Sequence, residues 1–234
     1  MKIALLGYGR MGRAIENIAK NRGHEIVAKI DKDQIEGTLE HANVAINFSI
    51  PDAAVNNIFS ALSLKIPVVC GTTGWLEDLK KVTDFTTKND TAFLYASNFS
   101  IGVNLFFKLN EQLAKMMNNQ SEYKVNIEEI HHIHKLDAPS GTAITLAEGI
   151  IENSKSSDWS LSTDKSDEIQ IDAIREGEVP GTHTVTYESS IDAISIKHEA
   201  HNREGFALGA VVAAEWIVGK KGIFKMKIKP IIIY

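Results

Sequence analysis

Lys2-Ile3-Ala4-Leu5-Leu6-Gly7-Tyr8-Gly9-Arg10-Met11-Gly12 carries the reading that decides the fold. Ile3 to Leu6 is an unbroken apolar run closed by glycine, which predicts a strand over Lys2–Leu6 covered on both faces. Gly7, Gly9 and Gly12 then fall as G-x-G-x-x-G. The first glycine permits a tight turn, the second lets backbone approach a pyrophosphate, and the third lets a helix pack on the strand. Arg10 to Arg22 predicts that helix, with Met11, Ile15, Ile18 and Ala19 near helical spacing and Gly23 as its stop. Its N-terminus offers unpaired N–H groups and a favourable dipole to an anion. Asp31 closes the next predicted strand, His24–Ile30, about 20 residues beyond the turn, where a carboxylate receives ribose hydroxyls. Lys32 beside it can pair with a ribose 2′-phosphate. The candidate dinucleotide contacts are therefore Gly7, Tyr8, Gly9, Arg10, Met11, Gly12, Asp31 and Lys32, with NADH and NADPH both open. A purely structural βα turn is the alternative.

Working outward, Val44–Phe48, Ile66–Cys70 and Thr91–Ala96 predict further strands, with helices over Pro51–Leu64 and Trp75–Asn89 between them. Short apolar strands with helical crossovers imply an α/β unit of Rossmann type, a doubly wound parallel sheet covered on both faces. Gly71-Thr72-Thr73 and Ser97-Asn98-Phe99-Ser100 each follow a strand, the end of an open parallel sheet at which ligands bind. Simple turn chemistry is the alternative for both. After Ser100 the rhythm changes. Helices are predicted over Val103–Met117 and Gly141–Glu152, and strands over Lys124–His131, Ile169–Arg175, Thr182–Ser189 and Ala193–Ala200, a smaller α+β block with a mainly antiparallel or mixed sheet. The polar stretch Asn153–Glu168 reads as a surface loop, Ala207–Val218 as a helix, and Gly222–Ile233 as a strand-like tail.

The 234 residues suffice for one large domain or two small ones, and a net charge of −5 argues against a general nucleic-acid or membrane-surface binder. Cys70 is the single cysteine, read as a small buried hydrophobe at a strand end, so no intrachain disulfide forms and a reducing compartment is the simplest setting. The N-terminal apolar run is too short for a signal peptide or a membrane span. The expectation is a cytoplasmic protein.

A second segment, Glu129-Ile130-His131-His132-Ile133-His134-Lys135-Leu136-Asp137-Ala138-Pro139-Ser140-Gly141-Thr142-Ala143, sets three imidazoles and an ammonium beside a helix start. One reading is an exposed polar strand end. Another is a metal site, since His132 and His134 have H-x-H spacing, although no cysteine or further histidine falls at a familiar ligand spacing. The third is acid–base work beside an anion site. Histidine titrates near neutrality, lysine adds a fixed positive charge and a transferable proton, and Ser140 as N-cap would present the Gly141 and Thr142 N–H groups to a carboxylate. The expectation is the third, with no metal.

These residues resemble the bacterial dihydrodipicolinate reductases, now called 4-hydroxy-tetrahydrodipicolinate reductases, of lysine and diaminopimelate biosynthesis. Glu129–Ala143 is similar to the family signature E-x-H-H-x-x-K-x-D-x-P-S-G-T-A, and the likeness extends through Gly7–Gly12, Phe48-Ser49-Ile50-Pro51, Gly71–Gly74, Ser97–Gly102, Arg175-Glu176-Gly177 and Gly181-Thr182-His183-Thr184. It implies that NAD(P)H reduces a cyclic imine dicarboxylate, with His131 as acid–base residue and Lys135 as proton donor. It also implies substrate contacts from His132, Ser140, Gly141 and Thr142, and cofactor contacts that add Phe48, Gly71, Thr72, Thr73, Ser97, Asn98, Phe99 and Ser100 to those above. It further implies a nucleotide domain of residues 1–101 and 208–234, a substrate domain of residues 102–207, and a homotetramer built through the substrate-domain sheets. The chain departs from the family pattern in a glycine turn one residue shorter than G-x-x-G-R-M-G, in Asn47 where an acid is common, and in Ile50 where some members carry arginine. The alternatives are another NAD(P)-dependent dehydrogenase of a small carboxylate, or a dinucleotide sensor without turnover.

Overall fold

The computed structural model describes residues 1–32, 34–162 and 167–226, and it divides into two units, Met1–Ile101 with Arg203–Tyr234, and Gly102–Asn202. In the first unit, β1 (Lys2–Leu6), α1 (Arg10–Asn21), β2 (Glu25–Asp31), β3 (Gln34–Gly37), β4 (Val44–Asn47), α2 (Pro51–Ser63), β5 (Val68–Cys70), α3 (Leu79–Lys88) and β6 (Ala92–Tyr95) follow in order. The apolar run of β1 is split by the pleat. Ile3 and Leu5 join Val44, Ile46 and Leu94 in one buried cluster, and Ala4 and Leu6 join Ala45, Val68 and Phe93 in another. Ile15 and Ala19 of α1 cover the first face, while Ile58 and Leu62 of α2 and Val82 of α3 cover the second. This double cover is why the strands read as unbroken hydrophobic runs rather than alternating ones.

The predicted helix from Trp75 starts later than its sequence suggests. Leu76–Asp78 is a 3₁₀ turn, and Trp75 is buried with its indole N–H donating to the Thr72 carbonyl at 2.7 Å. β3 gave no signal because all four of its residues are exposed and it pairs only antiparallel to β2.

The second unit holds α4 (Ile101–Met117, entering from the first), β7 (Lys124–His131), α5 (Gly141–Ile151), β8 (Asp158–Ser160), β9 (Glu168–Arg175), β10 (Thr182–Glu188) and β11 (Ala193–Glu199). Its sheet runs β11-β10-β7-β9-β8. β10 is antiparallel to both β7 and β11, whereas β9 is parallel to both β7 and β8, so the sheet is mixed. The parallel half follows from α5, a crossover helix that returns the chain in the direction of β7. Phe106 and Leu113 of α4 and Leu146 and Ile150 of α5 pack against Ile127, Ile169, Ile171 and Val185 on one face. The stretch read as the loop Asn153–Glu168 therefore contains β8 and the first residue of β9. Its residues 163–166 lie outside the described residues, as do residues 227–233 of the strand-like tail.

α6 (Glu204–Ile217) and β12 (Gly222–Lys225) complete the first unit. α6 lies beside α1, and β12 extends the sheet to β12-β6-β5-β4-β1-β2-β3, parallel except for β3. Strand order reverses between β1 and β4, the crevice at which doubly wound sheets bind ligands.

Candidate active site

Gly7 leaves β1 at φ +95°, and a Cβ there would lie 2.3 Å from the Phe48 carbonyl oxygen. At Gly12 a Cβ would lie 2.4 Å from the Gly7 carbonyl oxygen, so α1 and the β1 turn touch through glycine alone. A Cβ on Gly9 would meet nothing within 4 Å, and no side chain caps α1. These are the conditions for a pyrophosphate on a helix N-terminus. Gly7 and Gly9 line a cavity of about 600 Å³ with Ile30, Asp31, Lys32, Phe48 and Ser49, at the carboxyl ends of β1, β2 and β4. Asp31 is held at its rim by backbone, Oδ2 accepting from the Tyr8 N–H at 2.9 Å and Oδ1 from the Lys32 N–H at 2.8 Å. Residues and cavity fit a dinucleotide.

A smaller cavity of about 220 Å³ is lined by Met11, Phe48, Ser49, Pro51, Gly71, Thr72 and Thr73. Thr72 Oγ1 accepts from the Ser49 N–H at 2.9 Å and so ties the turn after β5 to the turn after β4. Arg10 is exposed. The Tyr8 ring lies under Arg13 and Lys29, and its hydroxyl donates to Glu16. Ser97–Ser100 do not line either cavity. Asn98 Oδ1 accepts from the Ser100 N–H, and Phe99 is buried with its ring 5.6 Å from that of Phe48. Cys70 is buried, and burial pushes its thiol up to about 12.

In the second unit, strand register assembles what sequence distance separates. Glu129 and His131 share the helix-facing side of β7. His183 of β10 lies opposite Glu129, and Arg175 of β9 lies opposite His131. Glu129 is fully buried, and a buried carboxylate must be compensated. Arg175 Nη2 donates to its Oε1 at 3.1 Å, and the Ser140 N–H reaches both oxygens at 3.0 and 3.1 Å. His131 Nδ1 stands 3.3 Å from Oε2, and His183 Nε2 3.6 Å from the same atom. Burial alone would raise the Glu129 carboxyl, but the histidines and the Ser140 N–H hold it well below the usual carboxylate range. Burial also pushes His183 below its ordinary value.

Ser140 caps α5, its Oγ accepting from the Ala143 N–H at 3.2 Å and lying 3.1 Å from His183 Nε2. Its own polar groups are thus engaged within the protein, while Gly141 beside it is exposed, with open space where a Cβ would stand. Lys135 donates to both oxygens of Asp137 at 2.8 Å. His132 is half-buried and its N–H donates to the Val179 carbonyl, whereas the His134 ring is exposed and pairs with Glu178 at 3.3 Å. The structure thus brings His131 and Ser140 into one cluster and adds Glu129, Arg175 and His183, to which the sequence reading assigned no role. The available signal was a charged residue on the inward face of an otherwise apolar alternating strand. Glu129, His131 and His183 place potential ligand atoms within 4.8 Å of one another. Arg175 and the Ser140 N–H already occupy that carboxylate, and a guanidinium at 3.1 Å opposes a second cation there.

A Rossmann-type unit with an anion-binding turn, together with a unit that carries a buried acid–base cluster beside a helix N-terminus, defines a pyridine-nucleotide-dependent oxidoreductase. Residues 1–99 match the family described as dihydrodipicolinate reductase, N-terminus, and residues 102–228 the one described as dihydrodipicolinate reductase, C-terminus. The chain is 60% identical over 230 residues to the 4-hydroxy-tetrahydrodipicolinate reductase of Christiangramia forsetii, covering 97% of this chain and 96% of that one. It is 36% identical over 257 residues to the enzyme of that name from Archaeoglobus fulgidus, covering 97% and 98%. The fold is similar to that of a dipicolinate-bound dihydrodipicolinate reductase from Paenisporosarcina, with TM-score 0.76, 23% identity and 99% of each chain covered. The chain belongs to the dihydrodipicolinate reductase family.

Proposed function

We propose that the chain reduces 4-hydroxy-tetrahydrodipicolinate, or its dehydrated imine, to tetrahydrodipicolinate in lysine and diaminopimelate biosynthesis. The observation that carries this reading is the presence, in one chain of this family, of the glycine-turn cavity and of the His131–Glu129 cluster at the start of α5. NADH or NADPH bound along Gly7–Gly12 and Asp31, with Lys32, Phe48 and Gly71–Thr73 beside it, supplies the hydride. In the second unit, His131 and Lys135 carry the protons. Hydride addition at a carbon of the conjugated imine requires a proton at the other end of that system. Lys135, His132 and the first N–H groups of α5 at Gly141 and Thr142 neutralise the two carboxylates, and Ser140 acts by holding that helix start in place.

The test is oxidation of NADH and of NADPH followed at fixed enzyme with freshly generated 4-hydroxy-tetrahydrodipicolinate. Turnover that requires both enzyme and substrate is expected with at least one of the two cofactors, and its absence with both would overturn the reading. We further propose a homotetramer, built on the face of the second sheet that α4 and α5 leave uncovered. There β10 and β11 alternate outward as Thr184, Thr186, Ser195 and Lys197, opposite in pleat to the buried His183 and Val185. Light scattering of the purified protein checks the mass. The partners are then a small dicarboxylate and further copies of the chain, with neither nucleic acid nor membrane. Among the described residues no helix is long and apolar enough to cross a membrane. A cytoplasmic location is part of the proposal.

A further inference from the structure

Glu129 is the one fully buried carboxylate of the described cluster, and Arg175 alone would neutralise its charge. The two imidazoles gathered on its second oxygen help to hold it ionised, and for His131 that placement has a second consequence. His131 Nδ1 lies 3.3 Å from Oε2, at ion-pair distance but outside hydrogen-bond geometry, and is buried with no hydrogen-bond partner. A carboxylate only accepts, so the ring nitrogen that faces it is the one that carries the proton in the neutral imidazole, and the other nitrogen is left as the base. That other nitrogen, Nε2, faces Gly181, where a Cβ would stand 3.0 Å away. Glycine keeps that side of the ring clear.

We propose that Glu129 is the positioning residue for His131, fixing the Nδ1–H tautomer so that Nε2 exchanges protons with the substrate, and stabilising the imidazolium that forms. Through the Ser140 N–H the same carboxylate holds the start of α5 in register with that ring. One buried group thus couples the proton site to the carboxylate site. Among the described residues, the other titratable or charged groups packed near the ring are Arg175 on β9 and His183 on β10 with His198 beside it on β11, while the Lys135–Asp137 pair stands in the loop after β7, where Arg175 donates to the Asp137 carbonyl. None of them is placed as Glu129 is, on the same face of β7 two residues before His131. The proposal rests on the reading of His131 as the acid–base group.

The deciding experiment joins spectroscopy and kinetics. Long-range ¹H–¹⁵N spectra of the wild-type protein should show His131 protonated at Nδ1 in its neutral form, and Glu129→Gln should shift it to the Nε2–H or a mixed tautomer. With NADH and 4-hydroxy-tetrahydrodipicolinate, Glu129→Gln should lower kcat by about 100-fold, the range of a general acid–base contribution, with KM changed by less than about threefold. Glu129→Asp should recover part of the loss. In a His131→Asn background the same Glu129→Gln change should cost less than about threefold, because the group it acts through is gone. An Nε2–H tautomer in the wild type, or a loss that is undiminished in the His131→Asn background, would overturn the proposal. The wild-type spectrum needs no variant to fold and no turnover. Its result is thus independent of the activity assay, whose failure in the wild type would instead remove the reading of the reaction.

Discussion

Lys135 stands outside the Glu129 cluster, in the loop after β7. Its ammonium donates to both Asp137 oxygens, which holds the charged side chain in place and makes it the direct test of the proposed proton transfer. Lys135→Ala should lower kcat by about 100-fold with NADH binding unchanged, since the lysine belongs to the second unit and the dinucleotide cavity to the first. Steady-state kinetics and fluorescence titration with NADH separate the two. Gly181 is the second single position that bears on the proposed role of His131. It adopts φ +152° and lies against the His131 ring, so Gly181→Ala combines strain with a displaced imidazole. A fall in kcat of about 10- to 100-fold with the fold retained is expected, on the scale of small misplacements of catalytic groups. Kinetics together with a circular-dichroism spectrum check it. Of the histidines at H-x-H spacing, His132 is half-buried with its backbone N–H on the Val179 carbonyl. The His134 ring is exposed and pairs with Glu178, whereas His131, which faces inward, entered the cluster.

Among the elements, α6 shows what small residues are for. Ala207, Gly209, Ala210, Ala213 and Ala214 are buried along it, and a Cβ on Gly209 would stand 1.7 Å from the Phe99 carbonyl oxygen. Gly209→Ala must move the helix or the Phe99 turn, which should cost about 3 kcal/mol or more, the upper range for overpacking. Chemical denaturation measures it. α5 has two duties. It covers the second sheet with Leu146 and Ile150, and it presents its N-terminus beside Glu129. It is also the crossover that makes β9 parallel to β7, which places Arg175 next to His131. An antiparallel return at that point would alter this register and with it the compensation of Glu129.

Taken together, the chain's buried ionisable groups predict how it responds to acid. His183 is held below its ordinary value of 6.5 by burial, so the fold favours its neutral form. Its contribution is complete above pH 6.5 and declines as pH falls from there toward the folded value. Glu129 is depressed below 4.5, so its contribution is complete above pH 4.5 and is lost further down. Glu16 in the first unit follows the same direction. Burial would raise it, yet Lys20, Tyr8 and Lys29 lower it to about 2. Thermal midpoints should therefore stay level near neutrality, begin to fall below pH 6.5 and drop more steeply below pH 4.5. A midpoint that rises on acidification through this window would contradict the assignment. The physical basis for what could be read in advance is range. The glycine turn, the double-covered strands, the helix start at Ser140 and the His131–Lys135 segment are local patterns, and local sterics, periodicity and capping chemistry act over a few residues. Arg175 and His183 lie 46 and 54 positions beyond Glu129, and only strand pairing made the three neighbours. β3 and the parallel half of the second sheet were likewise settled by pairing, because an exposed edge strand carries no hydrophobic period and a strand's direction depends on which neighbour its crossover returns it to.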